Sequence, residues 1–425
     1  MASVTGYEYS KAMQIKDESV ISAQIINGVL IFTTYGGTQF SGGVVTGDLP
    51  LSQPSIVTLG AFDKEPEDVL VSEWNTGGIN ASTTMATFGS TSDNIAWSPD
   101  NLYLAQSYAA PPYLKLFKRS ALLDNVMTDL GSGAVVTPPT DRAASGGSSW
   151  SPDGKYLAVC QGAAPYLNIY KRSGDVLTRL ASTPGTVSAV PPIGVSWSPD
   201  GRYLSVTYAL SPFIAIYKRS GDTFTLLSGG TGPTSNPGVW VTSSRFSPNG
   251  RYLVLSLNAS PYAFVYKRNA DVFSYLPFAL DFFPTASASE VGWSPDSAYL
   301  TISTIDSKDL FYYKRTADAF VNLNTSGLLS SSQNPKGHSW SPDGKYIAIS
   351  HDVSPFVSIF RRRFNDTFEK MPDLDTSMLF NAPTSIAWAP DGSSLSLAFG
   401  PSPHVLTYKS ALGKLKKAAT KAIQT

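Results

Sequence analysis

The sequence predicts an all-β chain: a seven-bladed β-propeller with a small N-terminal β-meander and a short basic C-terminal helix. Three observations carry that expectation. Trp97, Trp150, Trp197, Phe246, Trp293, Trp340 and Trp388 each precede one tight-turn sequence, at intervals of 53, 47, 49, 47, 47 and 48 residues. Self-similarity near this period marks radially repeated or stacked architectures. Each copy also holds strand-like runs separated by turn residues, four per copy, which is one propeller blade. Finally, those runs are apolar on both faces, as in Tyr156-Leu157-Ala158-Val159. A half-solvated sheet would alternate, whereas blades stacked around an axis bury both sides.

Composition narrows the function classes. Thirty-two basic and 32 acidic residues cancel in 425, so no global field favours nucleic acid or an anionic membrane, and neither is an expected partner. Met1 to Asp17 lacks the apolar core of a signal peptide, and no apolar run approaches the roughly 18 residues of a membrane span. Cys160 is the single cysteine; without a partner it reads as a buried free thiol.

In chain order, residues 1–48 form the expected meander and attachment module. Ile21–Ile26, Val29–Tyr35 and Thr38–Val45 read as strands, separated by the hairpin-turn dipeptides Asn27-Gly28 and Gly36-Gly37. Residues 49–66, with Pro50, Pro54 and Pro66, read as a linker. The propeller is expected over 67–409. Within the second copy, a strand ends at Trp150 and Ser151-Pro152-Asp153-Gly154 turns the chain. A second strand, Tyr156–Gln161, leads through the Ala164-Pro165 turn to a third, Tyr166–Lys171, and Ser173-Gly174-Asp175 turns into a fourth, Val176–Ala181. The seventh copy stops after its third strand, so a segment near 70–88 is expected to complete the last blade and cover its edge. Residues 410–425 place Leu412, Leu415, Ala419 and Ile423 at helical spacing among lysines, which suggests a basic amphipathic tail.

Two resemblances follow from these residues. Trp150-Ser151-Pro152-Asp153-Gly154 and its six counterparts resemble the WD40-like propeller repeats of the TolB type, over roughly 90–409. That resemblance implies the fold and is nearly silent on function, because such propellers serve as scaffolds, enzymes and adhesins alike. The run Ile26-Asn27-Gly28-Val29-Leu30-Ile31-Phe32-Thr33-Thr34-Tyr35-Gly36-Gly37-Thr38, closing at Gly43-Val44-Val45-Thr46-Gly47, resembles a hairpin module of bacteriophage tail-fibre and other virion proteins. It departs from that pattern at Tyr35-Gly36-Gly37, where an Asp usually precedes the second glycine. The module implies virion attachment through Ile26, Asn27, Gly28, Leu30, Phe32 and Gly37, with other virion proteins as partners.

No catalytic, cofactor-binding or metal constellation is legible. The three histidines, His338, His351 and His404, fall in different repeats, and no zinc spacing, nucleophile elbow or phosphate loop occurs. The Asp of the Ser-Pro-Asp turn recurs in six copies, which marks a turn device. Lys-Arg pairs such as Lys171-Arg172 recur at the ends of the third strands, on the same face as those Asp residues, so inter-blade ion pairing is expected in preference to a nucleic-acid-binding ring. The opposite face carries Tyr113, Tyr166, Phe213, Tyr262 and Phe356, each after a proline, together with long, dissimilar connections between copies. That rim is the candidate binding site, for a host surface receptor or glycan. The leading expectation is a non-enzymatic bacteriophage virion protein without cofactor, made in the host cytoplasm and displayed on the particle as a fibre or spike-like adhesin or a surface decoration. The alternatives are an intracellular WD40-like interaction scaffold and a propeller glycosidase or lyase. Oligomeric state is left open.

Overall fold

Three tight turns fold each of the first six repeats into a four-stranded antiparallel sheet. In blade 2 the strands are Ser148–Trp150, Tyr156–Cys160, Leu167–Ser173 and Val176–Arg179, hydrogen-bonded in that order. At the first turn the Gly154 amide donates to the Ser151 carbonyl at 2.8 Å. Gly154 has φ +64°, a conformation that glycine adopts at no steric cost. The Ser151 hydroxyl donates to Asp153 Oδ1 at 2.5 Å, that oxygen also accepts the Lys155 amide, and the Tyr156 amide donates to Ser151 Oγ. Ser and Asp are therefore turn devices, as the repetition predicts. The second turn holds a cis Ala164-Pro165 bond followed by Tyr166 at φ +61°, and the third places Gly174 at φ +57°.

The computed structural model describes the strand backbone of 20–26, 29–34 and 39–44. It also describes 92–409 apart from 121–126, 142–146, 183, 185–189, 228–239, 278, 282–283, 306–309, 324–327, 330–332, 364, 375–380 and 401–404. The chain divides into two units, 1–71 and 72–425. In the first, Val20–Ile26, Val29–Thr34 and Gln39–Val44 form an antiparallel three-stranded sheet. In the second, seven blades form a WD40-like β-propeller. Blades 1 and 3–6 repeat the strand order of blade 2, and blade 7 has three described strands, Pro383–Trp388, Ser394–Phe399 and Val405–Lys409. The expected clasp near 70–88 and the basic helix over 410–425 lie outside the described residues.

First strands of successive blades touch one another, so they are innermost. The core lies between blades. Tyr156, Ala158 and Ile169 of blade 2, for example, pack with Val195, Trp197, Leu204 and Val206 of blade 3. Cys160 is buried in the same cluster, and burial pushes its thiol well above the ordinary range. The repeated tryptophan works at these seams. The indole N–H of Trp150 donates to the Ala96 carbonyl, and that of Trp197 to the Ser149 carbonyl, each in the preceding blade and each at 3.1 Å. Trp97 reaches Ser396 Oγ of blade 7 at 3.2 Å, and Ile95, Trp97 and Phe117 share a cluster with Ala389, Ala398 and Val405. Blade 7 thus packs on blade 1, and the ring closes.

Candidate binding face

Strand direction alternates within each blade, so the two faces of the ring differ in kind. One face carries the Ser-Pro-Asp turns, the Lys-Arg pairs and the third-to-fourth strand turns, and most of its Lys-Arg pairs bridge between blades. Lys118, Lys171, Lys218, Lys267 and Lys314 each bridge to an aspartate in the third-to-fourth turn of the next blade, namely Asp175, Asp222, Asp271, Asp318 and Asp366, at 2.5–2.9 Å. The same aspartates accept the hydroxyls of Tyr103, Tyr156, Tyr203, Tyr252 and Tyr299 from the preceding blade. Arginines reach backwards. Arg119, Arg172, Arg219 and Arg268 bridge to Asp391, Asp100, Asp153 and Asp200 of the preceding blade, and Arg172 and Arg219 lie over the Tyr103 and Tyr156 rings at 4.7 and 4.9 Å. Partial burial raises the Asp153 carboxyl, but bonds from Arg219, Ser151 and the Lys155 amide, with the Arg219 charge, outweigh it and bring it to about 2.

Departures from the repeat fit this scheme. Blade 4 has Asn249 where other copies have Asp. Its Oδ1 still accepts the Ser247 hydroxyl and the Arg251 amide, but it carries no charge, and Arg315 donates instead to the Ser297 carbonyl. Blade 6 has Arg361 where other copies have Lys, and Arg361 pairs within its own blade with Glu369. Blade 1 has Asn101 in place of the turn glycine, at φ +62°, and its side-chain Nδ2 donates to Asp391 Oδ2 across the closing seam at 2.5 Å.

The innermost strands hold one polar cluster outside the repeat. Glu290 bridges to Arg245 of blade 4 at 3.1 Å and accepts the His338 amide of blade 6 at 3.0 Å. His338 Nε2 meets Thr301 Oγ1 at 2.8 Å, and Thr301 also accepts the Trp340 indole. Burial brings His338 down to about 4, against the opposing pull of Glu290. A neutral, buried imidazole tied to a threonine ties blades together; it is not placed to meet a substrate. His351 is likewise buried, held by Gln333, Ser358 and the Val353 carbonyl. His404 lies outside the described residues.

The other face carries the rim. Tyr113, Tyr166, Phe213, Tyr262 and Phe356 all stand at φ +60° to +65°, each after a cis-proline, and each is half-buried. Left-handed φ is uncommon for bulky residues, and here it turns each ring out of line with the next strand. Phe213, Tyr262 and Phe356 pack partly on three separate inter-blade clusters. The rim is thus a set of half-exposed rings, one in each of blades 1, 2, 3, 4 and 6, and not one aromatic patch. Beside them stand residues that the repeat does not announce. Leu210 is 58% exposed in the turn before Phe213, and Trp240 is 45% exposed at the start of the innermost strand of blade 4. The Trp240 amide donates to Asn258 Oδ1 at 2.7 Å, and its carbonyl accepts the Asn258 amide, so this indole is presented from a fixed strand end. Its one legible signal was a tryptophan out of register with the others. Of the expected attachment residues, Ile26, Leu30 and Phe32 lie in strands of the first unit, while Asn27, Gly28 and Gly37 lie outside the described residues.

No family model and no curated protein matches the sequence. Among solved structures, a chain of the mitotic checkpoint complex is similar at 19% identity and a TM-score of 0.54, covering 78% of this chain and 96% of that one. The hydrazine synthase of Kuenenia stuttgartiensis matches at 17% identity and 0.53, covering 77% and 98%. A putative 6-phosphogluconolactonase of Bacteroides uniformis matches at 16% and 0.53, covering 70% and 88%. At such identities these likenesses speak for the fold alone, and the three proteins span enzymes and an assembly component.

Proposed function

We propose that the chain is a non-enzymatic bacteriophage virion protein whose propeller is a rigid display frame. Its N-terminal module joins it to other virion proteins, and its aromatic rim binds a host surface receptor or glycan. The observation that supports binding is the contrast between the two faces. One has most of its Lys-Arg pairs engaged across blades, and the other presents Tyr113, Tyr166, Phe213, Tyr262 and Phe356 with exposed Leu210 and Trp240. Half-exposed rings on a fixed frame suit stacking on sugars or packing on a protein. The virion reading rests on the resemblance of residues 26–47. The TolB-type repeat is the variety of WD40-like propeller that the Trp-Ser-Pro-Asp-Gly motif favours.

Negative-stain imaging of the purified protein mixed with purified particles tests attachment: density is expected at one kind of site on the particle. A protein that binds no particle component overturns the virion reading. Host surface polysaccharide is then titrated into the protein, and Trp240→Ala and Tyr166→Ala are expected to weaken binding about tenfold each, roughly 1.4 kcal/mol. Release of reducing ends in the same incubation would instead establish a glycosidase or lyase.

A further inference from the structure

The described outer strands of the blades treat their edges differently. An open edge strand presents unpaired backbone groups to any passing chain, and proteins blunt such edges with charge, shortness or a cover. The outer strands of blades 1 and 6, Met127–Asp129 and Phe368–Lys370, are three residues long and charged. Those of blades 2 and 5 are covered by the connection that enters the blade. Val135–Val136 pairs in parallel with Leu177 and Thr178. Likewise the Phe320 amide donates to the Ala279 carbonyl, and the Phe320 carbonyl accepts the Asp281 amide. Under these covers Leu177 and Phe320 are wholly buried, with Ala134, Val135, Ala279 and Leu280 packed on the adjoining seams.

Among the described residues, blade 4 has none of these devices. Its outer strand, Val272–Tyr275, is four residues long and uncharged. Phe273, the counterpart of Phe320 by register against Arg268 and Arg315, is only half-buried. Val272 is 60% and Tyr275 40% exposed, and Tyr275 continues an aromatic group with Phe264 and Tyr266, at 4.9 and 5.8 Å between rings. Among the described residues, no hydrogen bond from outside the blade reaches the Phe273 amide or carbonyl. The connection into blade 4, 228–239, has no apolar residue before Val239 in its sequence, so it holds no counterpart of Ala134-Val135 or Ala279-Leu280. Blade 3 is a weaker case, because Val190 of its entering connection shares a cluster with Phe224.

We propose that the outer edge of blade 4 is a strand-acceptor site, which takes an extended segment of a partner protein in parallel beside Val272–Tyr275. Main-chain hydrogen bonds to Phe273 would supply affinity. Small apolar residues, set as Ala134-Val135 and Ala279-Leu280 are in the covered blades, would cover Phe273 and supply selectivity. The inference does not depend on the aromatic rim or on the virion reading.

The probe is a fluorescein-labelled peptide with this chain's own sequence 131–139, which holds the cover of blade 2, titrated against the full-length protein. Saturable binding is expected, with slowed amide exchange at Phe273. The double variant Val272→Lys, Tyr275→Lys puts charge on the edge and gives up the Tyr275 ring contacts, so it is expected to melt somewhat below the wild type and to bind at least tenfold more weakly. Val321→Lys, on the covered edge of blade 5, is expected to bind unchanged. Should the double variant not fold, the exchange at Phe273 in the wild type decides. Absence of binding at millimolar peptide, or binding with no change at Phe273, overturns the proposal. So does a wild-type dimer in sedimentation that the double variant converts to monomer, because a second copy would then occupy the edge.

Discussion

Gly292 is the residue on which the inner polar cluster depends. A Cβ there would lie 2.4 Å from His338 Nε2 and 2.7 Å from Thr301 Oγ1, inside the blade 5–blade 6 seam. Gly292→Ala is therefore expected to cost about 1–3 kcal/mol through overpacking, read as a fall in melting temperature; an unchanged melt would show that the seam relaxes freely. His338 makes a second prediction. Its folded value of about 4 lies below the ordinary 6.5, so the neutral ring contributes stability that is fully present above pH 6.5 and is lost as pH falls towards 4. The groups facing it are Glu290 and Arg245. His338→Gln is expected to flatten the dependence of melting temperature on pH between 6.5 and 4, at the cost of a lower plateau.

Among elements, the Ser-Pro-Asp turn separates two jobs of one carboxylate. Asn249 performs the local job without the charge, so Asp153→Asn is expected to keep the turn and lose only the Arg219 pair, about 0–1 kcal/mol. Asp153→Ala loses the turn contacts as well and is expected to cost about 1–2 kcal/mol, both measured by urea unfolding. Because the folded Asp153 value of about 2 is below the ordinary carboxylate value, this contribution is present above about pH 4 and disappears as pH falls through 2. The turn itself was legible in the sequence, since its Ser, Asp and Gly lie within four residues of one another. The Lys–Asp pairs were legible only in part. Lys171 and Asp222 are 51 positions apart, and nothing local says that a Lys-Arg pair faces the next copy's third turn. Trp240 and the parallel covers of blades 2 and 5 lie outside the repeat, and periodicity has no power there.

For the molecule as a whole, the period and the two-faced apolar strands gave the ring and its seven blades, because packing between like units is what the repeat encodes. Its closure is seen at the seam of blades 7 and 1, and a clasp near 70–88 is expected to share it. Deletion of 67–90 is expected to abolish cooperative folding, and a soluble truncation with a sharp thermal transition would sink that expectation. Asp391→Ala removes the partner of Asn101 and Arg119 at once, so it is expected to lower the melting temperature further than Asp153→Ala does.

The paired face has a consequence for how such a ring can change. Blades 1 to 4 each reach forward with a lysine and backward with an arginine, and the neighbours meet them with aspartates in the same places. A whole unit can therefore be duplicated, deleted or exchanged with its junctions still matched. Blades 2 and 3 are such cassettes. Blade 4, with Asn249, and blade 6, with Arg361 satisfied by its own Glu369, are not, and an exchange there would leave a junction unmatched.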